Sequence, residues 1–377
     1  MNVSVSTSRM PGHRGRRTRA AAIGVTVCLA ATLVACGPAN GSSSSSGPGG
    51  SGTVGVSLIL KTLTNPYFVS MEKAARAQAA KDDVRLTVAA GNNDGDTLTQ
   101  ITAIENAISR GDRGILITTN GDAVNAALKR ARQAGLFVIA LDTATNPPGI
   151  ADLTYATDNE QAGRLAGQYA AAALDGRPAV VAMLDLFDNQ VVSVDIARDH
   201  GFLKGMGIDP GSSTENGKEA RTGTYTGGKG GTYTIACHQA TQGAVDGGRT
   251  AMENCLSANP GINVVYAINE RAGEGAYKAL KAAGKEKNAA IHTIDGSCAG
   301  LRNVAGGTFA TDAVQYPGRM AALGVSSVAQ LGRGGARPGA AGGKTFHDTG
   351  TALAAARPVG GLTVQSPSQA ASACWGG

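Results

Sequence analysis

The chain has 377 residues, 42% hydrophobic and 16% charged, so it can bury a sizeable core and is not disordered by composition. That length suits two domains. The net charge of +6 misleads: Arg9, Arg14, Arg16, Arg17 and Arg19 precede the first apolar run, no acid occurs before Glu72, and the rest is near neutral. Such a balance excludes an electrostatic footprint for nucleic acid.

Residues 1–35 read as a targeting segment. A basic region leads into an apolar run over 20–35, too short for a comfortable membrane span. The run closes on Leu33-Val34-Ala35-Cys36-Gly37, which resembles the bacterial lipobox. Cys36 would then be acylated and become the mature N-terminus. The plainer alternative is an ordinary secretory signal with a chance cysteine. Stable anchoring takes two or more acyl chains, since one is marginal. Arg16-Arg17 invites a twin-arginine reading, but its surroundings fit poorly. After Cys36, residues 37–53 form a Ser/Gly tether that lets a globular body reorient at a surface.

A short strand rich in β-branched residues is predicted over 54–60. It runs into Thr64-Asn65-Pro66-Tyr67-Phe68, where Pro66 biases Asn65 away from the helical region. Helix formers follow from Val69. Strands are then expected over 84–90, 114–118 and 137–142, with helices over 97–109 and 122–134, the latter stopping at Gly135. A second series begins near Asp158, with helices over 159–174, 193–206, 250–258 and 273–283 and strands over 179–184, 264–268 and 290–295. Repeated βα units imply parallel sheets with helices on both faces. Two such halves suggest an α/β protein of two Rossmann-like lobes with a cleft between them. Glycine-rich runs at 223–231 and 332–343 read as surface loops.

Cys28 leaves with the signal, and four cysteines remain beyond Cys36: Cys237, Cys255, Cys298 and Cys374. An even count in an exported chain favours disulfides, with three connectivities open. We expect Cys298–Cys374, stapling the C-terminal tail to a strand-end loop, and Cys237–Cys255. A long closed loop of the first kind contributes ~4 kcal/mol in the entropic view. A metal site reads less well, for there is no CxxC pair and only His238 adjoins a cysteine.

No nucleophile elbow and no HExxH occurs. The run 223–230 has phosphate-loop spacing but ends in Gly230 where a Ser or Thr is needed, and Gly343-Lys344-Thr345 has Pro338 where the first glycine belongs. Neither motif follows a clear strand. The sequence implies no catalytic constellation, no cofactor and no metal.

An ordered series does stand out: KTLTNPYF, GILIT, VIALDT, YATDN, RDHGF, YAINE, TIDG and VQYP. It resembles the periplasmic sugar-binding proteins of ABC importers, in the ribose-binding cluster with the type I fold, over roughly 54–377. Longer runs resemble the fructose-type members in particular: 193–205, 248–254, Gly296-Ser297-Cys298, Phe346-His347-Asp348-Thr349-Gly350 and the tail Cys374-Trp375-Gly376. The resemblance implies two lobes, 54–157 plus 316–346 and 158–315 plus 347–377, joined by a three-strand hinge. It implies capture of one monosaccharide between the lobes. Asn65 would bond a hydroxyl, and Tyr67 and Phe68 would pack on the sugar ring. Asp142 would accept hydroxyls on the first lobe. Arg198 would donate from the second, with Asn269, Asp295 and Gln315 completing the site. Thr118 would replace an asparagine, and Thr143 stands where ribose binders carry arginine, which argues against ribose. A second-lobe aromatic is also implied between Tyr225 and Arg249, at a position the loose alignment leaves open.

Residue chemistry supports the same set. Planar Asp, Asn and Arg groups can bond vicinal hydroxyls in pairs. Asp142 and Asp295 each end a predicted strand, although either could merely cap a helix. Arg198 could be a solvated helix residue and Asn269 a turn residue. The expected protein is a monomeric, lipid-anchored binder on the outer face of the cytoplasmic membrane, serving an ABC permease with its ATPase. A sensor lobe for a membrane receptor differs only in its partner. An exported hydrolase using Asp142 and Asp295 as an acid pair is the rival from another class.

Overall fold

The computed structural model describes residues 53–339 and 346–376. The expected signal segment, Cys36 and nearly all of the tether lie outside the described residues. The first series comprises β1 (Val54–Leu60), α1 (Pro66–Lys81), β2 (Val84–Ala90), α2 (Thr97–Ser109), β3 (Gly114–Ile117), α3 (Asn125–Gln133), β4 (Phe137–Leu141) and β5 (Leu153–Ala156). Its six-stranded sheet runs β12-β5-β4-β3-β1-β2, where β12 is His347–Asp348, with every pairing parallel. Every residue of β1 is buried, as expected of a strand covered on both faces. The pleat sends Val56, Leu58 and Leu60 to one core and Ile59 to the other. The first core packs against α1 and α9 (Pro317–Gly332), the second against α2 and α3.

The second series comprises α4 (Asn159–Leu174), β6 (Ala179–Asp185), α5 (Ser193–Met206), β7 (Thr222–Tyr225), β8 (Gly231–Ala240), α6 (Val245–Ala258), β9 (Val264–Ala267), α7 (Glu270–Ala282), β10 (Ala290–Asp295), α8 (Cys298–Ala305) and β11 (Thr311–Val314). Then come α9 (Pro317–Gly332), β12 (His347–Asp348) and β13 (Ala352–Ala355). The second sheet runs β13-β11-β10-β9-β6-β8-β7, antiparallel only at its two edges. Among the described residues the chain passes between the sheets three times: from β5 to α4, from β11 to α9, and from β12 to β13.

Helices α4 and α5 pack almost backbone to backbone. A Cβ on Gly163 would stand 2.1 Å from the Arg198 carbonyl oxygen, and one on Gly201 would stand 2.2 Å from that of Glu160. Only glycine permits this approach, and it seats Arg198 against the start of α4.

Two sequence expectations change. The run 223–231 is not a free loop: it forms β7, a turn and the start of β8, at the edge of the second sheet. Residues 333–339 carry no helix or strand, while 340–343 lie outside the described residues. His347 and Asp348 pair with Tyr155 and Ala156 in the first sheet, so the last crossing falls after Asp348 rather than at 346/347. No described helix is long and apolar enough to cross a membrane.

Candidate functional site

The carboxyl ends of both sheets face a narrow cavity of about 30 Å³. The first lobe contributes Lys61, Asn65, Tyr67, Phe68, Asp94 and Asp142. From the second come Leu186, Val194, Arg198, Ile268, Asn269 and Asp295. Broader hollows, beside Arg113 and Phe137 and beside Tyr169 and Phe309, each belong to one lobe.

Asp142 follows β4 in a left-handed conformation, φ 62°, which a short polar side chain tolerates better than most. Its Oδ1 accepts the Tyr67 hydroxyl at 3.0 Å, and its Oδ2 accepts the Thr143 hydroxyl at 3.0 Å. Arg198 reaches across from α5, with Nη2 at 3.5 Å from Asp142 Oδ1. Its Nε donates to Asn159 Oδ1 at 2.7 Å, and its Nη1 to the Ile268 carbonyl at 3.1 Å. Asn159, at the first crossing, also donates to the carbonyls of Thr157 at 3.1 Å and Asp142 at 3.4 Å. One amide thus ties the charged residue of each lobe to the hinge.

Asp295 ends β10, and its Oδ1 accepts from Gln315 Nε2 at 3.2 Å. Burial, and then the nearby Glu270, push its carboxyl well above the usual range. Burial likewise raises the Tyr67 hydroxyl, helped by Asp142. For Arg198 burial opposes the charge, yet Asp142 and then Asp295 hold its pKa above the ordinary value. Burial raises Asp94 against the opposing pull of Lys61.

The two asparagines are helix caps as well as cavity residues. Asn65 Oδ1 accepts the Tyr67 N–H at 3.0 Å, which leaves its NH₂ for the cavity. Asn269 caps α7 through the Ala272 N–H at 2.8 Å and donates to the Gly243 carbonyl at 3.1 Å. Tyr67 stands edge-on to Phe68 and to Trp375 of the tail, with centroids 5.3 and 5.2 Å away.

Not every expected site residue reaches the cavity. Thr118 is fully buried beneath the end of β1, where its hydroxyl accepts the Lys61 N–H at 2.8 Å. Thr143 and Gln315 stand behind Asp142 and Asp295, and position them. No second-lobe aromatic lines the cavity among the described residues; Leu186, Val194 and Ile268 form that wall. Lys61, Asp94 and Asn159 are the residues that sequence reasoning left without a role here. Asp94 follows a strand end, which was a usable signal. Lys61 is 4% exposed, and no described side chain accepts from its ammonium at hydrogen-bond distance.

The four cysteines pair as Cys237–Cys255 and Cys298–Cys374, with Cα atoms 5.6 and 5.0 Å apart. The second bridge carries Trp375 to the cavity edge, where its Nε1 donates to the Asp295 carbonyl at 3.2 Å.

Residues 56–336 match the family described as a periplasmic binding protein domain. The chain is 27% identical over 281 residues to the ribose import binding protein of Escherichia coli K12, covering 74% of this chain and 85% of that protein. It superposes on an ABC transporter periplasmic solute-binding protein of Actinobacillus succinogenes with bound D-allose: TM-score 0.66, 22% identity, 84% of this chain and 99% of that one. A Mycobacterium smegmatis protein in complex with β-D-fucofuranose gives a TM-score of 0.64 at 23% identity, over 76% of this chain and 88% of that one. The two parallel sheets, the hinge and the family match agree: the chain belongs to the periplasmic binding protein family and has its type I fold.

Proposed function

We propose that the protein captures a monosaccharide, fructose-like in preference, between its lobes and delivers it to an ABC import permease driven by a separate ATPase. The reading further holds that it works as a monomer, anchored through acylated Cys36 to the outer face of the cytoplasmic membrane. One observation carries it: charged groups from both lobes converge in one cavity while a buried acceptor there lacks a partner. Asp142 and Arg198 meet across the lobes at 3.5 Å, and Asp94 Oδ1 has no hydrogen-bond partner. A buried polar atom without a partner costs about 1–3 kcal/mol, which sugar hydroxyls would recover.

Closure is the function, and no bond is made or broken. Ser193 on α5 donates to the Ala144 carbonyl at 2.6 Å across the cleft mouth. A ligand touching both lobes favours this closed form by differential affinity. Asp142 and Asp295 are each held by a neighbouring side chain. The E. coli relative's role in ribose import supports the transport reading, and Thr143 in place of arginine speaks against ribose.

Calorimetry of the full chain in mild detergent, against fructose, ribose, mannose, galactose, xylose and inositol, tests this. One-to-one binding with the sugar recovered unaltered is expected. Turnover of a sugar, or no binding across the panel, would overturn it. For the anchor, Cys36→Ser is expected to move the protein from the detergent phase to the aqueous phase on phase separation.

A further inference from the structure

Behind the second-lobe wall lies a buried cluster that sugar binding does not use. Asp185 closes β6, Asp199 lies on α5 next to Arg198, and His238 lies on β8. Asp185 is 4% exposed and Asp199 fully buried. One ligand atom from each lies within 4.8 Å of the others. His238 Nδ1 stands 2.7 Å from Asp185 Oδ2 and 3.9 Å from Asp199 Oδ2. These separations bracket the ~3.4 Å between donors arranged tetrahedrally about 2.1 Å from an ion. No N–H or hydroxyl donor reaches either oxygen of Asp199 or Asp185 Oδ1, and the Asp199 carboxyl lies against that of Asp185.

We propose that Asp185, Asp199 and His238 bind a divalent transition-metal ion, with Zn²⁺ the best match. The cation takes the place of the proton on His238 Nδ1. The other ring nitrogen, Nε2, lies 2.7 Å from Glu219 Oε1, the carboxylate–histidine–metal arrangement that orients such ligands. One imidazole with two carboxylates suits Zn²⁺ better than Ca²⁺ or Mg²⁺, which prefer all-oxygen shells. Charge points the same way: Asp185, Asp199 and Glu219 surround a single imidazole, and a divalent cation offsets that excess. Asp195 is not a ligand, since its oxygens accept the N–H groups of Leu186 and Phe187 at 2.9 and 3.2 Å. Cys237, beside His238, is bound to Cys255 and also takes no part. A metal here would fix β6, α5 and β8 together, and so the seats of Leu186 and Arg198.

The test is Zn²⁺ titration of the untagged full chain after chelator treatment, with Ca²⁺ and Mg²⁺ as comparisons. One Zn²⁺ per chain is expected, with a melting midpoint raised by about 2 °C or more at saturation. Asp199→Asn should abolish this binding. Glu219→Gln removes no ligand, and should weaken it about tenfold or more while the melt stays cooperative. Should Asp199→Asn fail to fold, Glu219→Gln decides. Absence of stoichiometric Zn²⁺ binding overturns the site and leaves Asp185 and Asp199 as a pair sharing a proton. Equal binding by wild type and Glu219→Gln, or equal preference for Ca²⁺, also overturns it.

Discussion

Tyr67 and Asp142 meet at 3.0 Å, hydroxyl to carboxylate, although 75 residues separate them in the chain. The bond fixes Asp142 Oδ1 at the rim of the cavity, facing Arg198. Tyr67→Phe keeps the ring and removes this donor. The freed carboxylate should cost sugar affinity about 1 kcal/mol, or roughly fivefold to tenfold. Asp142→Ala should abolish binding. Both proteins should melt cooperatively, and calorimetry with the preferred sugar checks the pair. Unchanged affinity in Asp142→Ala would remove Asp142 from the site.

Lys61 and Asp94 face the same cavity from the loops that follow two adjacent strands of the first sheet, β1 and β2. With no acceptor on its ammonium among the described side chains, Lys61 is placed to donate to a sugar hydroxyl. A hydrogen bond to a charged group is worth about 1.5–3 kcal/mol. Lys61→Met should therefore weaken sugar binding tenfold or more. Its melting curve in the absence of sugar should not be lowered, because a buried cation is replaced by an apolar chain of similar length.

Trp375 touches both lobes, with its ring against Tyr67 and its N–H on the Asp295 carbonyl. The Cys298–Cys374 bridge holds it there. Trp375→Ala should reduce sugar affinity severalfold, since an edge-on aromatic pair contributes about 0.5–1.5 kcal/mol beyond its buried area. Mass spectrometry without reduction should find Cys237, Cys255, Cys298 and Cys374 all protected from alkylation. Four reactive thiols would sink both pairings.

His292 is buried in the second lobe beside Phe202 and Tyr169, and burial lowers its pKa to about 3. The folded protein therefore keeps it neutral while the unfolded chain protonates near its ordinary 6.5. Below that pH the unfolded state binds the extra proton, so stability falls as pH drops from about 6.5 towards 3. The loss between pH 7 and pH 5 should be about 2 kcal/mol from this group. Urea melts of wild type and His292→Gln at the two pH values isolate it: the variant should lack that part of the slope.

The alternating strands and helices were legible because each is long or strongly apolar. The segments 54–60 and 137–142 could hardly be anything but buried strands between helices. Apart from α9, a 16-residue helix that also went unread, the missed elements are short or chemically plain. β5 is only Leu153-Thr154-Tyr155-Ala156, and β8 is opened by glycine and threonine. Both become strands because a neighbouring edge offers unpaired N–H and C=O groups, which no local pattern announces.

The site divides in the same way. Residue type and strand-end position pointed to Asn65, Tyr67, Phe68, Asp142 and Asp295 as groups suited to a hydroxyl-rich ligand, whereas only the family resemblance marked Arg198 and Asn269. Tertiary structure alone decided that Thr118, Thr143 and Gln315 stand behind that surface, and that Lys61 and Asp94 stand on it. It also brought Asp185, Asp199 and His238 together from three elements. The physical reason is direction and distance: local sequence sets the chemistry a side chain carries, whereas burial, hydrogen-bond partners and charge pairing arise only where remote strands end side by side.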